Sequence, residues 1–262
     1  MTRGTQRFLP LFVTFICLVL ILPIVIVIVL AFSGQEFLKF PPDTLSLRWF
    51  GVFFGDSRWR AALWSSVAIA VIACVVATIV GFLASYALVR GSMGGKKIIL
   101  SIMLLPMIVP TVITAIAMYF LSARLGLVGN VLWVGCCHAV IALPVVLLIL
   151  LSTLQGVDVN LERAALSLGG SRARVMLRVV APIAMPGIVS AALFAFLASF
   201  DELIISLFLT NVATQTLPVR IWNSLHLEIE PVIAAVSAFL IGITAAILLL
   251  DGVLRRRRSA RL

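Results

Sequence analysis

Charge is scarce in this chain of 262 residues, and acid is scarcer than base: ten Asp and Glu stand against twenty Lys and Arg, together 11% of the sequence. A soluble domain carries about a quarter charged residues to cover its surface. With so few, this chain has no means of clothing a water-facing exterior, which excludes a soluble globular fold. Histidine is limited to His138 and His226, and cysteine to Cys17, Cys74, Cys136 and Cys137. None has CxxC or zinc-ligand spacing, so neither a disulfide framework nor a metal site is expected. The run Cys136-Cys137-His138 does not alter that, because adjacent residues on a helix point about 100° apart and three consecutive side chains do not converge on one metal. Also missing are GxxxxGK(S/T), GxSxG, HExxH and HxE…CxxC patterns. The chain therefore has no cradle of its own for ATP phosphates, no catalytic residues are indicated, and no cofactor is expected. The formal charge of +10 is not that of a nucleic-acid binder, since no basic patch is interleaved with exposed aromatics.

What is plentiful is apolar sequence: 63% hydrophobic residues and a mean hydropathy of +1.22. The pattern predicts an all-α integral membrane protein, a single transmembrane domain over 1–262, with six spans at about 8–32, 63–88, 98–121, 131–151, 184–208 and 232–250. Each is a low-charge stretch of the length that crosses a hydrocarbon core of about 30 Å. The first is read as a retained anchor, because a signal peptide has an apolar region of only about 7–15 residues. Proline recurs within spans, at Pro23, Pro106, Pro110 and Pro144. In the polar segment Ser33–Arg60, Trp49, Phe50, Phe53, Phe54 and Trp59 suit an interfacial helix lying at the headgroups. Asn211–Pro231 reads as a loop or re-entrant segment. Fourteen of the twenty lysines and arginines fall at the N-terminus, in the loop 90–97, in the segment 158–178 and at the C-terminus. By the positive-inside rule that side is cytoplasmic, and both termini face it.

A polar island, Asp158–Gly187, separates the fourth and fifth spans. Leu161, Ala164, Ala165 and Leu168 recur there at i, i+3, i+4 and i+7, the apolar stripe of a short amphipathic helix. Gly169-Gly170 can end that helix, Ser171 can cap a second, and Pro182 is expected to close it, giving a two-helix loop over 158–182. Arg172 and Arg174 fall in the first turn of the second helix, where the helix dipole disfavours cations by a few tenths of a kcal/mol. Helix stability does not explain them. They either hold orientation or meet an acidic partner surface.

Glu162-Arg163-Ala164-Ala165, with Gly169 seven positions after the glutamate and then Pro182 and Pro186, resembles the EAA loop of inner-membrane permease subunits of ABC importers. Arg163 stands where a literal EAA has its first alanine. The resemblance implies the type I importer permease fold and a loop that forms coupling helices seated in a groove of a cytoplasmic ATPase. On that footing the coupling residues are Glu162, Arg163, Ala164, Ala165, Leu168, Gly169, Arg172 and Arg174. Ala198-Ser199-Phe200-Asp201-Glu202, Thr216-Leu217-Pro218 and Glu230-Pro231 are similar to the spermidine/putrescine subfamily, in particular its second permease subunit. The partners so implied are a second permease, two ATPase subunits, a periplasmic substrate-binding protein and the lipid of a bacterial inner membrane.

Asp201 and Glu202 are the carboxylates inside an expected span. An ionised group near the bilayer centre costs about 2.5–3.5 kcal/mol on insertion scales, so it faces a cavity or a partner. On a continuous helix Glu202 shares a face with Ala191, Ala195 and Ala198, and Asp201 with Ser190, Phe194, Leu197 and Ile205. At least one lines a path for a cationic substrate such as a polyamine, or both are interfacial or structural. Another cargo within the same importer class (an amino-acid derivative, phosphonate, sugar or ferric ion), and outside it a membrane enzyme or scaffold, are the competing readings.

Overall fold

The computed structural model describes residues 3–92, 94–227 and 230–259. Its elements, in order, are α1 (Arg3–Ala31), α2 (Arg48–Gly55), α3 (Ser57–Arg90), α4 (Lys96–Ile108), α5 (Thr111–Leu125), α6 (Val131–Gln155), α7 (Val159–Ser167), α8 (Arg172–Val175), a π-helical turn (Met176–Val180), α9 (Ala181–Phe200), α10 (Ile204–Leu209), α11 (Leu217–Leu227) and α12 (Val232–Ser259). Among the described residues there is no strand, only an isolated bridge between Ser33 and Leu45. Among the described residues five helical stretches are long and apolar enough to cross a membrane, and a sixth crossing arises if the bent pair α4–α5 counts as one.

Two compact units divide the chain. One takes Met1–Arg60 and Ile221–Ala245. Within it three aromatics of the polar segment, Trp49, Phe53 and Trp59, turn inward, while Phe54 stays 46% exposed. Phe53 and Trp59 are each 1% exposed, and the Phe53 ring lies 6.1 Å from Trp59 and 5.3 Å from Phe239. The Trp49 indole donates to the Gln35 carbonyl at 3.1 Å, so its one polar atom is satisfied as its ring is buried. By contrast α1 leaves Leu11, Phe15, Leu18 and Leu20 more than 60% exposed, a surface suited to hydrocarbon or to another apolar helix.

The other unit takes Ala61–Arg220 and Ala246–Leu262. Its centre is α6, whose Ala139, Ala142, Val146, Leu150 and Leu154 pack with Ala73 and Ala77 of α3 and Ala184, Ala191 and Ala195 of α9. Lipid is as apolar as leucine, so these helices are held by close contact rather than by escape from water, and small residues permit the approach. Gly187 is the tightest case: a Cβ there would overlap the Thr153 side chain of α6. Ser190 of α9 also donates a hydrogen bond to the Asp251 carboxylate, both side chains being buried.

Two spans depart from the straight helices expected. The third, read as 98–121, is α4 and α5 meeting at 99°. Pro110 causes the corner: it has no N–H for the helix, and it holds the preceding Val109 extended, at φ −73° and ψ 132°. The fifth, read as 184–208, stops at Phe200 and resumes as α10 after Asp201–Leu203. Pro182 does not close a second helix either, because helix runs without interruption from Arg172 to Phe200. In the π-helical turn just before it, the Ala181 N–H reaches back five residues to the Met176 carbonyl. That wider turn lies where the ring of Pro182 would otherwise crowd the carbonyl of Arg178.

The candidate coupling segment and the broken fifth span

Asp158 opens α7 by accepting a hydrogen bond from the Asn160 N–H at 2.9 Å, an N-cap with a carboxylate at the positive end of the helix. One turn on, Glu162 points inward and is 6% exposed. Its Oε1 accepts from Arg90 Nε at 2.6 Å and its Oε2 from the Tyr86 hydroxyl at 3.2 Å. Arg90 also donates from its second arm to the Val157 carbonyl at 2.7 Å, just ahead of the α7 cap. The glutamate is thereby tied to the end of α3, with its carboxylate buried. Arg90 and Tyr86 are the residues the sequence reading missed at this site.

The outward side of α7 mixes apolar Leu161, Ala164 and Leu166 with polar Asn160, Arg163 and Ser167. Of the stripe read as one amphipathic face, only Ala165 packs inward; Leu161 is 48% exposed and Leu168 is 89% exposed, with Ala164 exposed between them. A leucine so fully offered is unfavourable in water and suits a hydrophobic partner. The helix closes in a Schellman turn: Gly170 N–H bonds to the Ala165 carbonyl and Gly169 N–H to that of Leu166. Gly169 stands at φ +84°, a conformation that side chains resist, and a Cβ on Gly170 would sit 2.8 Å from the Ala165 carbonyl oxygen. Ser171 then caps α8 through the Arg174 N–H. Arg163, Arg172 and Arg174 are all exposed, so the outward leucines stand among cations.

Asp201 and Glu202 stand at the break in the fifth span, so the continuous-helix faces assigned to them do not form. Asp201 ends α9 and is exposed; Glu202 Oε1 accepts the Ile205 N–H at 3.0 Å and so caps α10. No proline or glycine lies between Phe200 and Ile204. What spans the break instead is His138 of α6, 1% exposed. Its Nδ1 lies 2.8 Å from the Ser199 hydroxyl and 3.2 Å from the Ser199 carbonyl, and its Nε2 lies 3.2 Å from the Ser206 hydroxyl. A carbonyl only accepts, which places the proton on Nδ1 and leaves Nε2 to accept from Ser206. One ring thus pins the last turn of α9 and the first of α10. Among the described residues no cluster of His, Cys, Asp and Glu is placed to hold a metal ion.

The chain is similar over nearly its whole length to known permeases. It is 27% identical over 240 residues to the spermidine/putrescine transport system permease protein PotC of Haemophilus influenzae, covering 92% of this chain and 93% of that one. To the putrescine transport system permease protein PotI of Escherichia coli K12 it is 29% identical over 204 residues, covering 75% and 73%. A solved bacterial ABC transporter involved in the import of the acidic polysaccharide alginate superposes with a TM-score of 0.74 over 97% of this chain and 98% of that one, at 15% identity. That likeness shows the fold, the ABC importer permease fold. Residues 77–259 match the family described as the binding-protein-dependent transport system inner membrane component, and the chain belongs to that family of multi-pass inner-membrane ABC permeases.

Proposed function

We propose that this permease couples to cytoplasmic ATPases through α7 and α8 and forms, with a second permease subunit, the path for a small cationic polyamine. The observation that supports coupling best is the outward face of α7, where Leu168 is 89% exposed beside a left-handed glycine. A rigid projection of exposed leucines set among arginines fits an apolar groove with an acidic rim. Glu162 contributes from the other side, since a push on α7 passes through its Arg90 ion pair directly into α3. ATPase closure would in this way move spans rather than a loop. Hydrolysis takes place on the partners, and a periplasmic binding protein delivers the substrate.

The polyamine cargo is supported by the relatives that import spermidine and putrescine and by Asp201, an exposed carboxylate at a helix break. The fold itself carries no cargo, since its alginate-importing neighbour handles an acidic polysaccharide. Of the two acids Asp201 is the better path residue, because Glu202 is engaged as a cap. The test is isolation of the tagged chain from its own membranes, followed by uptake of labelled putrescine and spermidine. An ATPase co-purifies and is lost with Leu168→Asp, and Asp201→Asn lowers polyamine uptake while assembly is normal. A chain that isolates without an ATPase overturns the coupling. Uptake of a sugar but not of polyamines overturns the cargo.

A further inference from the structure

A cavity of about 330 Å³ opens where the end of α3, the start of α4 and the end of α6 come together. Its wall is aliphatic, made by Leu88, Val89, Leu100 and Leu151, and its polar end is set by Lys96, Lys97 and Gln155. Arg90 lies at the same end of α3, but its guanidinium is held by Glu162 and the Val157 carbonyl. Neither lysine has a carboxylate within ion-pair distance among the described residues.

We propose that this cavity binds an anionic phospholipid, with the phosphate between Lys96 and Lys97 and the glycerol and first acyl carbons along the aliphatic wall. The positive-inside rule accounts for lysines on this side of the membrane but not for their seat at the mouth of an apolar cavity. Nor does helix stability, since cations in the first turn of α4 oppose its dipole. On the face of α4 that carries Lys96 and Leu100, the helix continues through Leu104 and Met107, Met107 being 65% exposed, and none of its residues is buried. An acyl chain leaving the cavity therefore continues over a hydrocarbon-compatible helix. The volume lies at the low end of ligand pockets, enough for a phosphate with its glycerol. A free anion would gain from the two ammonium groups and nothing from the four aliphatic side chains, whereas a lipid uses both. Basic pockets between spanning helices at one leaflet are a general mode of anionic-lipid recognition. The site needs only a chain embedded in a bilayer, so it stands apart from the coupling and cargo proposed above.

The experiment places the full-length chain in phosphatidylcholine bilayers with a trace of photoactivatable phosphatidylglycerol or, in parallel, photoactivatable phosphatidylcholine, and maps the adducts. A lysine near the headgroups changes affinity roughly fivefold, so phosphatidylglycerol labels the segments 88–100 and 151–155 at least about tenfold over phosphatidylcholine. Lys96→Gln with Lys97→Gln removes that excess while labelling of α1 is unchanged, and Lys96→Arg with Lys97→Arg retains it. Millimolar inorganic phosphate has no effect. Equal labelling by the two lipids, or an excess indifferent to the glutamine pair, overturns the proposal. So does competition by phosphate, which marks a free-anion site, or loss of labelling on assembly with the partner subunits, which marks a protein interface.

Discussion

Burying Glu162 beside Arg90 takes two charges out of water, a loss of several kcal/mol per ion that only close pairing and further hydrogen bonds offset. The Arg90–Glu162 contact at 2.6 Å, the Tyr86 hydroxyl and the Val157 carbonyl supply those bonds, with the paired side chains 17% and 7% exposed. Such a pair adds little over an apolar replacement, but breaking it from one side strands a charge, at a cost of about 3–5 kcal/mol. Arg90→Met and Glu162→Gln are therefore each expected to lower the melting temperature of the purified permease, and Arg90→Met/Glu162→Gln together less than the sum of the two. A thermal-unfolding double-mutant cycle measures this, and strict additivity would sink the pairing. Glu162 was legible in the sequence as a motif residue, while its inward direction was not. Arg90 is 72 residues away, and in a linear reading it counts only as one more cation on the basic side of the membrane. His138 is visible in the sequence only as part of a run unfit for a metal; its bridging role is not, since its two serine partners lie on helices that only the fold brings to it.

Helix ends were the best-read features at the scale of elements, because their chemistry is local. Ser171 caps α8 as its position suggests, and Gly169 takes the left-handed turn that its place after an amphipathic stretch demanded, whereas the Asp158 cap of α7 comes from the structure alone. Prolines were read poorly in both directions. Pro182 reads as a stop and is absorbed by a π-helical turn, whereas Pro110 reads as one more proline inside a span and makes a 99° corner. The ring removes one hydrogen bond in each case, and the outcome depends on whether the surrounding helices can re-satisfy the backbone. The break after Phe200 had no mark in the sequence at all, because a histidine network and a glutamate cap hold it rather than a helix breaker. Gly169 separates backbone geometry from packing, since nothing lies within 4 Å of its missing Cβ. Gly169→Ala is expected to cost about 1–2 kcal/mol at the turn and to lower transport-coupled ATP hydrolysis. Gly169→Asn, whose residue type tolerates the left-handed region, should retain most of it. Equal loss in both variants would mean that the side chain obstructs a partner and that the turn is not at issue.

Across the whole molecule, membrane insertion fixes which side each connection occupies, and in the unit built around α6 two connections differ sharply in charge. The loop 90–97 and α7 share one side of the membrane through the Arg90–Glu162 pair, and both are rich in lysine and arginine. The segment between α10 and α11 has no lysine or arginine before Arg220, and its Val212 is 96% exposed. Cytoplasmic connections keep cations because moving them across the bilayer against the potential is unfavourable, so the orientation proposed for this chain puts the α7 side inside. Single cysteines report this directly. Cys17, Cys74, Cys136 and Cys137 all lie within apolar helices, and each is first replaced by serine or alanine with uptake checked. Val212→Cys is then expected to react with a membrane-impermeant maleimide in intact cells. Leu168→Cys is expected to react only after the membrane is opened, and to become protected when the ATPase is bound. Labelling of Leu168→Cys in intact cells would place α7 outside, where no nucleotide-driven partner could reach it, and with that the coupling role of its outward face would fail even if the fold, the ion pair and the glycine turn were all as described.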